Sequence, residues 1–351
     1  MRIVVVGATG NHGTSLCRRL SADPNVDLVL GVARRLPSLS LPKVEWIEAD
    51  VTRDALDPIV SGADAVMSLV WLIQPGRKEH VTRAVNVDGS ARVFHATARA
   101  GVPVLVYASS VGAYAAGPKD RAVDESWSTD GIPTSFYSRH KAEVERLLDA
   151  FEAEHPAVRV VRMRPGLCFK REAATQIRRL FAGPFLPRSL LRRTLIPFVP
   201  SVDRLRFQAV HTDDLAEAYR LALVNDSARG AYNVAAEPVL DGATLGAALR
   251  ARQLRVPSSL LRAGAAASYR LRLQPTEPGW VDMGLGVPIM DTTRIRSELG
   301  WEARWSSVAA FEELIDGMRQ GAGLETPPLD PRTSGPLRAR EFGTGVGSTS
   351  R

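Results

Sequence analysis

Short apolar runs alternate with amphipathic stretches along the first half of the chain. Residues 3–6 are β-branched and apolar, a run of strand length. Glycines at 7, 10 and 13 follow, and then a helical pattern with Leu16, Cys17 and Leu20 on one face. Residues 26–33, 44–47, 65–70 and 104–108 repeat the strand signature. Residues 54–60 and 77–100 read as helices, the longer one carrying Val81, Val85, Val93 and Phe94. Strands that alternate with helices pair in parallel through crossovers of one hand. The pattern therefore predicts an α/β fold, a Rossmann-type doubly wound parallel sheet, with ligands at the carboxyl ends of its strands.

The alternation stops after Gly166. Residues 169–200 mix Arg with Leu, Phe and Pro, as in Arg178-Arg179-Leu180-Phe181, Pro184-Phe185-Leu186-Pro187 and residues 190–193. Helical spacing returns at 258–273 and in an amphipathic closing helix at 306–318. The expected division is a nucleotide-binding domain over 1–166 and about 207–235, and a smaller C-terminal substrate lobe from 167–206 and 236–320. Residues 324–351 are rich in Pro, Gly, Ser, Thr and Arg, and read as a disordered tail.

Composition narrows the class of partner. The chain has 351 residues, 45% hydrophobic and 24% charged, with a net charge of +7. The basic residues are overwhelmingly Arg and scattered, without the Lys and aromatic interleaving of a nucleic-acid groove, so no nucleic-acid partner is expected. The field would still favour anionic cofactors and substrates. Two cysteines make no disulfide framework, and neither they nor the six His show a metal-ligand spacing, so no metal is expected. Residues 65–73, interrupted by Ser68, are too short to span a bilayer, and the first strand begins at residue 3 with no leader ahead of it. A cytoplasmic protein with no membrane partner is expected.

Candidate chemistry gathers at two places. The first is the turn Gly7-Ala8-Thr9-Gly10-Asn11-His12-Gly13, between a strand and a helix. Gly7 allows the tight turn, Gly10 lets a pyrophosphate approach the backbone, and Gly13 lets the helix pack on the sheet. The anion would rest on unpaired N–H groups at the helix N-terminus. At the end of the second strand stand Arg34 and Arg35, with no Asp or Glu in 31–36. Arg there suits the 2′-phosphate of NADP, whereas an acidic residue would suit NAD. NADP is favoured over NAD on this ground, with a solvated arginine pair as the plainer reading.

The second place follows the fifth strand, at Ser109-Ser110-Val111-Gly112-Ala113-Tyr114. Tyr137 and Lys141 come next, four apart at the start of a helix, and so share one face. A tyrosine is a poor acid or base at neutral pH until a cation lowers its pKa. A serine hydroxyl beside it can hold a substrate oxygen in line for proton transfer. Six Tyr and five Lys in a chain of this length would give only about 0.1 such pairs by chance.

These motifs together resemble the extended short-chain dehydrogenases/reductases, the NAD(P)-dependent epimerase/dehydratase group, over roughly residues 1–321. The glycine turn, Asp50-Val51 on the adenine side, Asn86-Val87-Asp88-Gly89-Ser90, Ser109 to Tyr114, and Tyr137 with Lys141 carry the likeness. So do Arg164-Pro165-Gly166, His211 to Ala216, Tyr232-Asn233-Val234 and residues 291–301. The resemblance implies Tyr137 as general acid/base, Lys141 as the residue that lowers its pKa and holds the nicotinamide ribose, and Ser110 as the orienting group. It implies that Pro165 passes the nicotinamide, that Asp214 caps a helix, and that a homodimer could form through 77–100 and 138–151. Two departures stand out. His12 replaces an apolar residue, and Trp71-Leu72-Ile73-Gln74-Pro75 replaces smaller residues after the fourth strand.

Three functions fit this pattern. The first is an NAD(P)-dependent oxidoreductase acting on a carbonyl/alcohol pair, favoured by the apolar lobe. The second is a nucleotide-sugar epimerase or dehydratase holding NAD tightly. The third is a non-catalytic nucleotide sensor, which would need neither Ser110, Tyr137 nor Lys141.

Overall fold

Strand β1 (Arg2–Val6) divides the core in two. Ile3 and Val5 enter one hydrophobic cluster and Val4 and Val6 the other, because successive side chains leave a strand on opposite faces. A parallel sheet covered on both faces needs such a continuous apolar run. The computed structural model describes residues 1–73, 77–181 and 197–332.

After β1 come α1 (Asn11–Ser21), β2 (Leu28–Ala33), β3 (Val44–Glu48), α2 (Asp57–Val60), β4 (Ala65–Ser68), α3 (Glu79–Arg83), α4 (Gly89–Arg99), β5 (Val104–Ala108), β6 (Ala122–Val123) and α5 (Phe136–Glu154). Next are β7 (Arg159–Pro165), β8 (Leu167–Phe169), α6 (Ala174–Phe181), β9 (Phe198–Ser201), β10 (Phe207–His211), α7 (Thr212–Val224), β11 (Gly230–Val234) and β12 (Ala236–Leu240). Last are α8 (Gly242–Leu249), β13 (Arg252–Arg255), α9 (Ser258–Arg270), α10 (Pro278–Gly286), β14 (Ile289–Met290), α11 (Thr293–Leu299) and α12 (Ser307–Gln320).

The main sheet has seven parallel strands in the order β11-β7-β5-β4-β1-β2-β3. Leu16 and Leu20 of α1 and Leu215 and Tyr219 of α7 pack on one face. Val93 and Phe94 of α4 and Val144 and Leu148 of α5 pack on the other. Strand order reverses between β1 and β4, which opens the crevice where a doubly wound sheet binds its ligand.

The helix expected over 77–100 is interrupted by a wide π turn, Ala84–Asp88. That turn carries the fully buried Asn86, whose carboxamide donates to the Leu72 carbonyl at 2.9 Å and accepts from the Leu72 N–H at 2.6 Å. The interruption thus ties the loop after β4 to the helix layer.

In the lobe, β10 lies between β8 and β12 in a three-stranded sheet. Phe169, Ala209, Leu240, Ala310 and Leu314 form its core. Residues 207–211, expected with the nucleotide domain, therefore belong to the lobe's sheet, and the chain returns to the main sheet through α7 and β11. Strand patterning reveals that a strand exists and not which sheet it joins. Residues 324–332 were expected to be disordered, but they pack. Leu329 is fully buried, the Glu325 carbonyl accepts from Ser38 N–H at 3.2 Å, and the Pro328 carbonyl accepts from Arg179 at 2.8 Å. One anchoring leucine is hidden when composition is averaged over a polar stretch. Gln74-Pro75, residues 184–187 and 190–193, and the rest of the expected tail lie outside the described residues. No helix among the described residues is long and apolar enough to cross a membrane.

Candidate active site

The glycine turn is shaped for close approach. Gly7 has φ +89°, and a Cβ there would lie 2.9 Å from the Leu69 carbonyl oxygen. A Cβ on Gly13 would lie 2.5 Å from the Ala8 backbone, so α1 could not pack this closely with any other residue. Gly10 is the N-cap, and no side chain caps the helix. The first-turn N–H groups are therefore left for an anion. Thr9 is buried beside them. A dinucleotide pyrophosphate fits this cradle.

Asn11 and His12 contribute backbone more than side chain. Asn11 Nδ2 donates to the Cys168 carbonyl at 3.1 Å, and its Oδ1 accepts from Thr212 Oγ1 at 3.2 Å. Its amide is thus committed to holding α1 against β8 and α7. His12 Nδ1 lies 3.0 Å from the Tyr219 hydroxyl. Burial, with the charges of Lys141 and Lys170, pushes its pKa down to about 3, so it is neutral at physiological pH.

Lys170, at the end of β8, escaped the sequence reading. It is fully buried, and its Nζ donates to the Asn11 carbonyl at 2.8 Å, Thr14 Oγ1 at 2.7 Å and Ser15 Oγ at 3.0 Å. All three acceptors belong to the first turns of α1. Burial lowers its pKa to about 8, opposed by Glu172 and Asp213. A signal was present in the composition. Only five Lys stand in a chain with 45 basic residues, and three of them, Lys119, Lys141 and Lys170, are buried. Lys retained inside an Arg-rich chain marks places where a compact ammonium is needed.

On the adenosine side, Arg34 and Arg35 are exposed at the end of β2. Burial opposes ionisation of Asp50, but hydrogen bonds from the Thr52 N–H and hydroxyl, with Arg34 nearby, hold its carboxyl below the usual range. Val51 is buried and touches α4, where a Cβ on Gly89 would lie 2.7 Å from Val51 Cγ2. Asn86 reaches Leu72, as described above.

The third part lies beyond β5. Ser109 and Ser110 face different partners. Ser109 Oγ donates to Glu145 Oε1 at 2.5 Å, whereas Ser110 Oγ accepts from Gly112 N–H at 3.0 Å and faces the Tyr137 phenol closely enough to act on its pKa. Ser135 caps α5, which delivers Tyr137 and Lys141 one turn apart. The Tyr137 ring sits between two indoles, with centroids 5.4 Å from Trp71 and 4.8 Å from Trp280. Val111, Ile132 and Met283 pack around it.

Burial pushes the Tyr137 pKa up, and the Ser110 hydroxyl opposes the rise. Lys141, one turn further along α5, is held by contacts of its own. The Lys141 ammonium donates to Ala108 O at 2.7 Å and Tyr107 Oη at 3.2 Å, and lies 3.5 Å from the Trp71 ring centroid. Burial drives the Lys141 pKa well down, while Glu145 and Cys168 oppose it.

Glu145, one turn further along α5, is fully buried. It accepts from Arg164 at 2.9 and 3.0 Å and from Arg162 at 3.1 Å. This places a charged layer beneath Ser109 and Lys141. Pro165 is buried at the end of β7. Asp214 does not cap α7. The His211 ring does so, accepting from Asp213 N–H, and the Asp214 carboxylate accepts from the N–H groups of Arg304 and Trp305. The acidic residue near the helix start was the obvious candidate, but the loop before α12 claims it.

The site can therefore seat a dinucleotide at the β1–β4 crevice and hold a proton-transferring phenol beside it, in an apolar and aromatic wall. The sequence model of the NAD dependent epimerase/dehydratase family matches residues 3–235. The uncharacterized protein Rv2047c of Mycobacterium tuberculosis is 28% identical over 329 residues, 92% of this chain, and the chain spans only 31% of that relative's length. The sterol-4-alpha-carboxylate 3-dehydrogenase of Saccharomyces cerevisiae is 24% identical over 157 residues, 42% of this chain and 45% of the yeast protein. Among solved structures, the dTDP-glucose 4,6-dehydratase DesIV of Streptomyces venezuelae, with NAD bound, superposes with a TM-score of 0.68. It is 20% identical and covers 91% of this chain and 97% of its own. The chain belongs to the NAD dependent epimerase/dehydratase family.

Proposed function

We propose that the enzyme is an oxidoreductase that interconverts an apolar alcohol and its carbonyl compound, with NADP(H) preferred over NAD(H). The observation that carries this reading is the setting of Tyr137. Its phenol lies beside Ser110, whose hydroxyl opposes the rise of its pKa, and the groups around it are Trp71, Trp280, Val111, Ile132 and Met283. Such a wall favours a hydrocarbon framework with one reacting oxygen. The likeness to a yeast enzyme named as a sterol dehydrogenase supports the same class of substrate.

A bound nicotinamide would supply or accept the hydride. The residues to hold the dinucleotide are the backbone of Gly10 to Gly13 at the pyrophosphate, Asp50 and Val51 at the adenine, and Lys141 at the nicotinamide ribose. Ser110 holds the substrate oxygen, and Tyr137 Oη gives its proton to that oxygen or takes it away. Arg34 and Arg35 support NADP, because they stand exposed at the end of β2 and make no ion pair among the described residues.

The fold likeness to a dehydratase solved with NAD favours a second reading, a nucleotide-sugar epimerase or dehydratase that reoxidises its cofactor within each turnover. One experiment separates the two. Protein as purified is analysed by absorbance and mass for bound nucleotide, titrated with NADPH and NADH, and screened for NADPH oxidation with alicyclic ketones. An empty protein that prefers NADPH and reduces a ketone supports the oxidoreductase. Tightly retained NAD and inertness toward ketones would replace it with the second reading.

A further inference from the structure

Trp71 is held on a pinned base. Asn86 grips both backbone groups of the next residue, Leu72, so the loop after β4 cannot carry the indole away. One face of the indole covers the Lys141 ammonium, 3.5 Å from the ring centroid. An ammonium has three donors. Ala108 and Tyr107 take two of them. The same indole meets the Tyr137 ring nearly perpendicularly, at 70°. From the other side Trp280 packs on Tyr137, and Phe181 packs edge-on against Trp280 at 4.9 Å.

The Trp71 indole N–H is buried and has no hydrogen-bond partner among the described residues. Buried donors are nearly always paired, and one left over beside a reacting group is a place for a ligand to complete. Among the described residues, the polar groups at this spot are the Ser110 and Tyr137 hydroxyls, the Lys141 ammonium and this N–H. A sugar would bring several hydroxyls into the aromatic slot with few described groups to meet them, and each buried unpaired hydroxyl is unfavourable.

We propose that Trp71 determines substrate specificity, its ring walling a hydrocarbon ring and its N–H donating to a second oxygen on the substrate. The inference rests on the oxidoreductase reading and narrows it to alicyclic ketones or alcohols that carry a further carbonyl, carboxylate or hydroxyl oxygen.

The test uses the full chain with NADP⁺ present and three probes. They are trans-1-decalone, with one oxygen; decalin-1,5-dione, with two; and UDP-glucose. Dissociation constants come from saturation-transfer NMR. The wild type is expected to bind the dione at least about fivefold more tightly than the monoketone, the usual worth of one buried hydrogen bond. UDP-glucose is expected to bind far more weakly than either. Trp71→Phe keeps an aromatic wall and lacks the N–H. It should erase the preference for the dione and leave the monoketone within about threefold of wild type. Trp71→Ala removes the wall and should weaken both ketones about tenfold or more. A preference for the dione that survives Trp71→Phe overturns the proposal, and so does binding of UDP-glucose in place of the ketones. Melting curves and NADPH titrations check that each variant is folded, and the Phe variant decides if the Ala variant is not. Failure of the oxidoreductase reading looks different: ketones would bind with this dependence on Trp71, yet no NADPH would be oxidised.

Discussion

Lys170 Nζ donates to the Asn11 carbonyl at 2.8 Å, from beneath the helix turn whose N–H groups face the pyrophosphate cradle. The geometry places a buried cation behind the backbone that meets an anion. Its field adds to that of the helix N-terminus. Lys170→Met should therefore weaken NADPH binding about tenfold, roughly 1.4 kcal/mol. The pH dependence separates this role from a purely structural one. With a pKa of about 8 in the free protein, and a higher one when an anion is bound, affinity should be level below pH 8 and fall above it. NADPH fluorescence titrations from pH 6.5 to 9.5 measure this, and a slope unchanged in the Met variant would remove Lys170 from the binding site.

Tyr137 carries the proton-transfer proposal. Tyr137→Phe keeps the ring between Trp71 and Trp280 and deletes only the hydroxyl that faces Ser110. Turnover should fall by about 10²–10⁴-fold, the usual share of general acid–base catalysis, while the dissociation constant for NADPH stays within about threefold. Stopped-flow NADPH oxidation and equilibrium titration on the same samples give both numbers. Turnover that survives would move proton transfer to another group.

Much of this site was legible before the structure. Gly7, Gly10, Gly13, Ser110, Tyr137 and Lys141 sit at strand ends and helix starts, and strand ends and helix starts are what apolar periodicity locates. The rest depended on contacts far apart in sequence. That Lys141 would meet Tyr107 and Trp71 follows from how β4, β5 and α5 pack. That the Asn11 amide would be committed to Cys168 and Thr212 follows from β8 and α7 arriving beside α1. Glu145 is buried because Arg162 and Arg164 of β7 close over it, which no local pattern in α5 announces. A strand pattern gives no notice of such a buried network, because alternate Arg in β7 reads as solvent-facing.

Arg34 and Arg35 give the cofactor preference a direct check. A charged hydrogen bond to a phosphate contributes about 1.5–3 kcal/mol. Replacing both with Ala should thus weaken NADPH binding by about 10–100-fold and change NADH binding by less than about threefold. Paired titrations of wild type and variant with the two reduced cofactors measure the ratio. Equal losses for both cofactors would make the two arginines bystanders.

Stability should respond to pH through groups buried against their charge, His12 and Lys119 among them. His12 is neutral in the fold down to about pH 3, whereas an unfolded histidine takes its proton near 6.5. The unfolded chain therefore binds more protons between these values. Stability from this group is full above pH 6.5 and is lost as pH falls toward 3. Lys119 donates to the Arg206 and Gly284 carbonyls, and burial lowers its pKa to about 7. Between pH 7 and the unfolded value near 10.5 the unfolded chain again holds more protons, so stability rises with pH across that window. Urea midpoints measured from pH 4 to 10 should show both trends. His12→Gln should reduce the slope of the acid limb without touching the alkaline one, and Lys119→Met should reduce the alkaline rise, of which Lys170 and Lys141 keep a share.

The segment after α12 offers the last test, because its composition and its packing point in opposite directions. Residues 324–332 are polar and Pro-rich, as a disordered tail would be, and a chain ending at Gly323 would then melt as the whole chain does. Leu329, however, is fully buried, and neighbouring carbonyls accept hydrogen bonds from Ser38 and Arg179. Burying one leucine in a well-packed site is worth about 2–4 kcal/mol against alanine. Leu329→Ala should lower the midpoint by the corresponding amount, and the chain ending at Gly323 should melt roughly 5–10 °C below the full chain. Differential scanning calorimetry of the three proteins decides it. Identical melting temperatures would mean that this leucine is seated without contributing to the stability of the fold, and that its burial is a local accommodation of the chain end.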